Sequence, residues 1–231
     1  MKIKTIEISG FVSTLSAVRK PFKGEIKSDT EFHIHSSVKE NFLNLESYIT
    51  FNNKDLELLQ KLIKGGDEHA KSVRLINVTA DVTAPRYWWQ EHDTYEIGVT
   101  DGSSESTMHT LMKEIKSFNG ILHIDNPQFL QFANQLFNIS DKEGIERVTQ
   151  LKSILTFLQL SINLINQGIE DIRIYKEILP EGFIQTRTIN YNYQTLRRIY
   201  KQRRTHRIKE WHEFIDWMKT LPYAEELIFI Q

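Results

Sequence analysis

The stretch Tyr175–Arg203, YKEILPEGFIQTRTINYNYQTLRRIYKQR, decides how this chain is read. Leu179-Pro180 ends one helical pattern, because proline donates no N–H and restricts the residue before it. A short polar, β-prone crossing follows. Asn192 then opens a strongly basic helix carrying Arg197, Arg198, Lys201, Arg203 and Arg204, with Leu196 and Tyr200 at apolar positions. A run of charge is by default a solvated face. Arginine also offers phosphate a planar fork of bidentate donors, so the same helix is a candidate anion site.

The 231 residues suffice for one large domain or two small ones, and a hydrophobic content of 40% supports a sizeable core. The net charge is -1, and nothing in that balance demands nucleic acid or an anionic membrane. The basic charge is local, in residues 197 to 209, whereas a duplex-binding surface usually makes the whole domain basic. Cysteine is absent, which excludes a disulfide framework, a thiolate nucleophile and a Cys-based zinc site. The absence fits a reducing compartment, and a cytoplasmic location is expected. The start, MKIKTIEISGF, alternates as a strand does and lacks the apolar core of a signal peptide. The apolar stretch Ile154 to Ile165 is interrupted by polar residues, so no membrane span is expected.

Along the chain, Ile3, Ile6 and Ile8 predict a strand. Residues 12 to 30 read as irregular, with Pro21 and Gly24 as breakers. His33 and His35 alternate with Phe32 and Ile34 as a short strand or extended loop. Asn53 to Lys64 is an amphipathic helix stopped by Gly65-Gly66. Val73 to Val82 reads as a buried strand ended by Pro85, and Asp101-Gly102 as a turn. Helices are expected over Glu105 to Phe118, Asn126 to Phe137, Tyr193 to Arg204 and Lys209 to Leu221, the last with Trp211, Phe214 and Trp217 on one stripe. Ser140 to Glu143 has the pattern of a capping box for a long helix to about Asn166. The expectation is a single α+β domain over 1–231, a mixed sheet with a helix-rich second half.

Two further segments carry candidate chemistry. Gly66-Asp67-Glu68-His69 follows the glycine stop; a Glu-His pair there orients and polarises hydrogen bonds to a ligand, or is an ordinary surface pair. Pro85 to His109 reads PRYWWQEHDTYEIGVTDGSSESTMH. Its Trp88-Trp89 pair suits stacking on a flat ring or simple core packing. His206, Glu210 and His212, and His33 with His35, match no common zinc signature, and no metal is expected. There is no Gly-rich phosphate loop and no G-x-S-x-G elbow.

In order and spacing these blocks resemble the flavin-dependent thymidylate synthases. That family's C-terminal segment reads A-R-x-x-L-P, a turn, then N-A-R-x-L-x-x-F-x-x-L-R. Leu179 to Asn192 and Asn192 to Arg203 keep its spacing. Lys176 stands for a nucleotide-binding arginine, keeping the charge without the fork. Glu68-His69 match the end of a Gly-His-x-Ser-Pro-x-Glu-His segment. Arg86 and Trp88 lie on the opening of R-Q-W-x-R-H-R, and Gln90-Glu91-His92 replace its Arg-His-Arg core, reversing charge at the centre. After an insertion, Ser104 to His109 sits on N-E-x-S-x-R: Glu105 is retained, Thr107 stands for the serine and His109 for a phosphate-binding arginine. Past Arg203, Ile208 to His212 departs from the family's Ala-Gln-x-Glu-Ile. The resemblance covers about Gly66 to Trp211.

The resemblance implies the family's fold and its reaction, reductive one-carbon transfer to C5 of dUMP with methylenetetrahydrofolate, FAD and NADPH. No enzyme thiol takes part there, compatible with a chain lacking cysteine. It implies nucleotide contacts at Arg86, Glu105, Thr107, His109, Lys176 and Arg203. It implies flavin contacts at Glu68, His69, Gln90, His92 and Asn192, with a grip weakened at residues 90–92. It also implies a homotetramer with sites shared between chains. The alternatives are a nucleotide-binding or pyrimidine-modifying protein on the same scaffold without thymidylate synthesis, and a nucleic-acid module using the basic helix.

Overall fold

The structure is a computed structural model that describes residues 1–22, 30–39, 42–139 and 142–230. In chain order the elements are β1 (Lys2–Ser9), α1 (Phe11–Arg19), β2 (Glu31–Lys39), β3 (Phe42–Thr50), α2 (Asn53–Lys64), β4 (Asn77–Pro85), α3 (Arg86–His92) and β5 (Val99–Ser104). They continue with α4 (Thr107–Ser117), α5 (Pro127–Leu136), α6 (Gly144–Asn166), α7 (Ile172–Glu177), β6 (Ile184–Asn192), α8 (Tyr193–Arg203), α9 (Lys209–Lys219) and α10 (Ala224–Leu227). The class is α+β. One sheet has the order β1-β4-β6-β5, and β2 pairs with β3 as an antiparallel hairpin in register from Glu31↔Thr50 to Lys39↔Phe42.

Strand β4 shows why a sheet forms here. Its residues alternate in burial, with Val78, Ala80, Val82 and Ala84 fully buried, as a two-residue period requires. The other face carries polar cross-strand pairs that run antiparallel to β6. Asn190 Nδ2 donates to Thr79 Oγ1 at 2.9 Å, Thr188 Oγ1 to Asp81 Oδ1 at 2.6 Å, and the Thr83 and Thr186 hydroxyls meet at 2.9 Å. Such pairs are the unit of sheet stabilisation.

The described residues fall into two compact units. The first holds Met1, Thr83–Asp93 and Ser104–Arg187; the second holds Lys2–Val82, Thr94–Ser103 and Thr188–Gln231. The core of the first joins Leu111 and Ile115 of α4, Phe129 and Ala133 of α5, Ile154, Phe157 and Leu158 of α6, and Tyr175 of α7. By length and composition α6, at 23 residues, would also pass for a membrane span. Its Leu151, Ile154, Phe157, Leu158 and Ser161 are buried within this unit. In the second unit Leu59 and Ile63 of α2, Tyr193, Leu196 and Ile199 of α8, and Trp211 and Phe214 of α9 are buried.

Several expectations are corrected. Residues 12–19, read as irregular, belong to the helix Phe11–Arg19, because Phe11, Thr14, Leu15 and Val18 repeat at helical spacing and are buried. The breakers that argued against it come later in sequence. Asp101-Gly102 lies inside β5, not in a turn; the chain turns at Gly98, whose φ is +77°. Gly102 lets β5 approach β6 closely, since a Cβ there would lie 3.1 Å from the Thr188 carbonyl oxygen. Ala70–Leu75 is a 3-10 turn, so the strand expected from Val73 starts at Asn77. On α8 the apolar position after Leu196 is Ile199, fully buried, while Tyr200 is half-buried against Phe229 at 4.6 Å. The capping box over Ser140 to Glu143 lies partly outside the described residues; α6 starts at Gly144 with Glu143 at its cap.

Candidate functional site

In the first unit, Pro85 turns β4 into α3. Proline is suited to a helix entrance because the N–H it lacks would have no partner there. Four residues then recur at i, i+3, i+4 and i+7: Arg86, Trp89, Gln90 and Asp93. This spacing places them on one helical face. Gln185 and Arg187 of β6 are two apart, which puts them on one strand face. Together with Thr107 at the start of α4 and Lys176 and Leu179, these residues line a cavity of about 280 Å³.

Three cations and one carboxylate line this cavity: Arg86, Lys176 and Arg187, with Asp93. Arg86 donates from Nη1 to the Leu179 carbonyl at 3.3 Å, and its Nη2 lies 3.3 Å from Glu181 Oε1. Gln90 Nε2 donates to the other oxygen of Glu181 at 3.1 Å. Arg187 donates from Nη1 to Asp93 Oδ1 at 2.8 Å and from Nε to Gln185 Oε1 at 3.1 Å. Its guanidinium carbon lies 4.3 Å from the Trp89 ring centroid, a cation–π contact. The indole is itself fixed, donating from Nε1 to the Gln185 carbonyl at 3.0 Å. The His92 imidazole, with Nδ1 3.9 Å from Asp93 Oδ1, and the Arg187 guanidinium hold the Asp93 carboxyl below its usual range, against an opposing effect of partial burial.

Two polar groups at the cavity are uncommitted. Lys176 is exposed and forms no ion pair among the described residues, and the Thr107 hydroxyl makes no hydrogen bond among them. Thr107 also opens the 11-residue α4, whose first turn has no side-chain cap. Free N–H groups and the positive end of a helix dipole favour an anion at such a position.

The cavity brings together four of the expected site residues: Arg86, Gln90, Thr107 and Lys176. Others lie elsewhere. The Glu105 carboxylate accepts the Thr186 backbone N–H at 2.8 Å, bracing β6 rather than lining the cavity. His109 is exposed on α4 and does not line it. His92 is only 1% exposed and stacks on Trp88 at 4.9 Å. Trp88 and Trp89 are themselves buried, so core packing is their observed state.

In the second unit, Glu68 and His69 line a separate cavity of about 610 Å³ with Leu62 and Leu75. Asn192 caps α8: its Oδ1 accepts the Thr195 N–H at 2.9 Å, and its Nδ2 donates to the Gly98 carbonyl at 3.4 Å. With Arg74 and Arg198 it lines a third cavity of about 440 Å³. Arg203 donates from Nε to the Tyr95 hydroxyl at 2.8 Å and lies over the Trp211 ring at 4.7 Å. Arg197 is buried, with Nη1 3.5 Å from Asp67 and Nη2 on the Ile230 carbonyl. The basic helix is therefore not one solvated basic face.

Arg187, Asp93 and Gln185 were not anticipated. The alternation of Gln185 and Arg187 within a β-prone stretch was the signal that could have placed them on one face.

No family model matches the sequence, and no curated protein matches it. Solved structures do match it as folds. The flavin-dependent thymidylate synthase ThyX from Helicobacter pylori, complexed with FAD and dUMP, aligns with a TM-score of 0.75 over 100% of this chain and 99% of its own, at 15% identity. A second ThyX structure from that organism, also with FAD and dUMP, gives a TM-score of 0.75 over 99% and 97%, at 16% identity. The chain has the fold of a flavin-dependent thymidylate synthase.

Within this fold, the segment that the resemblance assigns to flavin and nucleotide phosphates does not suit that task. Gln90 is neutral and engaged by Glu181. His92 is enclosed beside Trp88 and Trp89. Glu91 brings a negative charge to the centre of this segment, the opposite of what a phosphate requires.

Proposed function

We propose that this flavin-dependent thymidylate synthase-like protein binds a pyrimidine deoxynucleotide monophosphate, dUMP by likeness to the ThyX complexes, in the cavity of the first unit. The observation that carries this reading is the convergence of Arg86, Lys176 and Arg187 on a space shared with the uncapped start of α4. The cavity lies just below the ~300–1,000 Å³ range of small-molecule sites. Its size and charge suit a phosphate and sugar better than a dinucleotide cofactor.

Lys176 supplies an ammonium with no ion pair among the described residues, and Thr107 a hydroxyl and a backbone N–H with no partner among them. Arg86 is pre-aligned by Leu179 and Glu181. Calorimetry with dUMP tests the reading. Binding is expected, and Lys176→Gln should weaken it by about 1.5–3 kcal/mol, the range for a charged hydrogen bond. Absence of dUMP binding with and without FAD would remove the proposal.

The second reading carries binding through to catalysis, as reductive one-carbon transfer to C5 of dUMP using methylenetetrahydrofolate, FAD and NADPH. Full coverage of the ThyX fold favours it. Glu68, His69 and Asn192 are its remaining candidates for flavin contact, while Gln90-Glu91-His92 weigh against a strong grip. Titrating FAD while following flavin fluorescence separates the readings: saturable binding strengthens the catalytic one, and none leaves a nucleotide-binding protein. A nucleic-acid role is disfavoured, because Arg197 and Arg203 are engaged within the fold.

A further inference from the structure

We infer that Arg187 supplies the phosphate contact that residues 90–92 no longer provide, so that charge has moved from α3 to the neighbouring strand β6. The inference rests on the nucleotide reading above. Gln90 and Arg187 line the same cavity. Trp89 links them: it precedes Gln90 in sequence, and its ring carries the Arg187 guanidinium at 4.3 Å. Gln90 brings no charge, and its amide is taken by Glu181.

The geometry suits a ligand-binding cation. Nε and Nη1 are anchored on Gln185 and Asp93, and the ring holds the guanidinium plane. Nη2 makes no hydrogen bond among the described residues, and the side chain keeps 19% of its exposure. A guanidinium already held in place loses less freedom when it binds phosphate. Asp93 is the counter-ion for the empty state and opposes an incoming anion.

The test measures dUMP and, separately, inorganic phosphate by calorimetry on the full chain, with thermal melts of every variant. Arg187→Gln should weaken dUMP about tenfold or more, as loss of a charged hydrogen bond does. Gln90→Arg placed in that background should restore most of the affinity, because it returns charge to the same cavity. Asp93→Asn breaks the same ion pair while keeping the cation, and should bind dUMP more tightly than wild type. If Asp93→Asn weakens dUMP as Arg187→Gln does, the pair is a structural brace and the inference falls. If Arg187→Gln binds like wild type while Lys176→Gln does not, the inference falls and the nucleotide reading stands. Wild type that binds phosphate but not dUMP, with phosphate lost in Arg187→Gln, keeps Arg187 as an anion ligand and removes the nucleotide reading. Wild type that binds neither removes both.

Discussion

At position 93 a carboxylate is held between an imidazole and a guanidinium, and this has a consequence for pH. Its folded pKa lies below the usual ~3.9 because of His92 first and Arg187 second. A carboxyl lowered by folding adds stability above its unfolded pKa and loses it as pH falls through its folded value. Wild type should therefore exceed Asp93→Asn in stability by a constant amount above about pH 5, and the gap should close below about pH 4. The side chain is 47% exposed, so solvent screening keeps the gap below about 1 kcal/mol. Urea denaturation from pH 3 to 7 measures it; a gap that widens on acidification would refute the assignment. Gly98 sets a second constraint. Its φ is +77°, and a Cβ there would lie 2.3 Å from Thr195 Oγ1 and 2.4 Å from Asn192 Nδ2. Gly98→Ala should cost about 1–3 kcal/mol through backbone strain and disturb the cap of α8. Denaturation midpoints check this, and an unchanged midpoint would mean the turn relaxes freely.

The elements differ in how far local sequence specified them. Helices α2, α5 and α8 were legible because periodic apolar residues and caps agree, as at Asn126 before Pro127, and α9 through its stripe of Trp211, Phe214 and Trp217. Helix α1 is hidden in the sequence because Pro21 and Gly24 argue for irregular chain, although its own four buried residues keep helical spacing. The Asp-Gly pair at 101–102 has strong turn chemistry, overridden by pairing of β5 with β6. The site was legible only in part, for the same reason. Arg86, Thr107 and Lys176 are implied by the resemblance, whose motifs lie in order along the chain. Arg187 is not, because its pairing with Asp93 joins residues 94 apart in sequence. Helix α6 offers a direct test of core packing. Ile154 is fully buried among Phe129, Phe157 and Leu158, so Ile154→Ala should cost about 2–5 kcal/mol. A loss well under 1 kcal/mol by calorimetric melting would show that this face is loosely packed.

For the whole molecule, the remaining question is assembly. The resemblance implies a homotetramer whose sites are shared between chains, and α6 presents surface for such contact. Ile145 is 88% exposed and Val148 40%, one turn apart on that helix, with Leu160 at 47% farther along. Residues three apart lie on one helical face, and apolar side chains clustered in water favour a partner surface. We expect light scattering to return a multiple of the 27.2 kDa chain mass. Ile145→Asp with Val148→Asp should shift the protein toward the monomer, because a charge buried at a symmetric contact meets its own copy. If sites are shared, dUMP affinity should fall with assembly in this variant, although neither residue lines the cavity. Retained affinity in a monomeric variant would place the whole nucleotide site on one chain. A strict monomer in the wild type, at concentrations where dUMP binds, would make a shared site untenable.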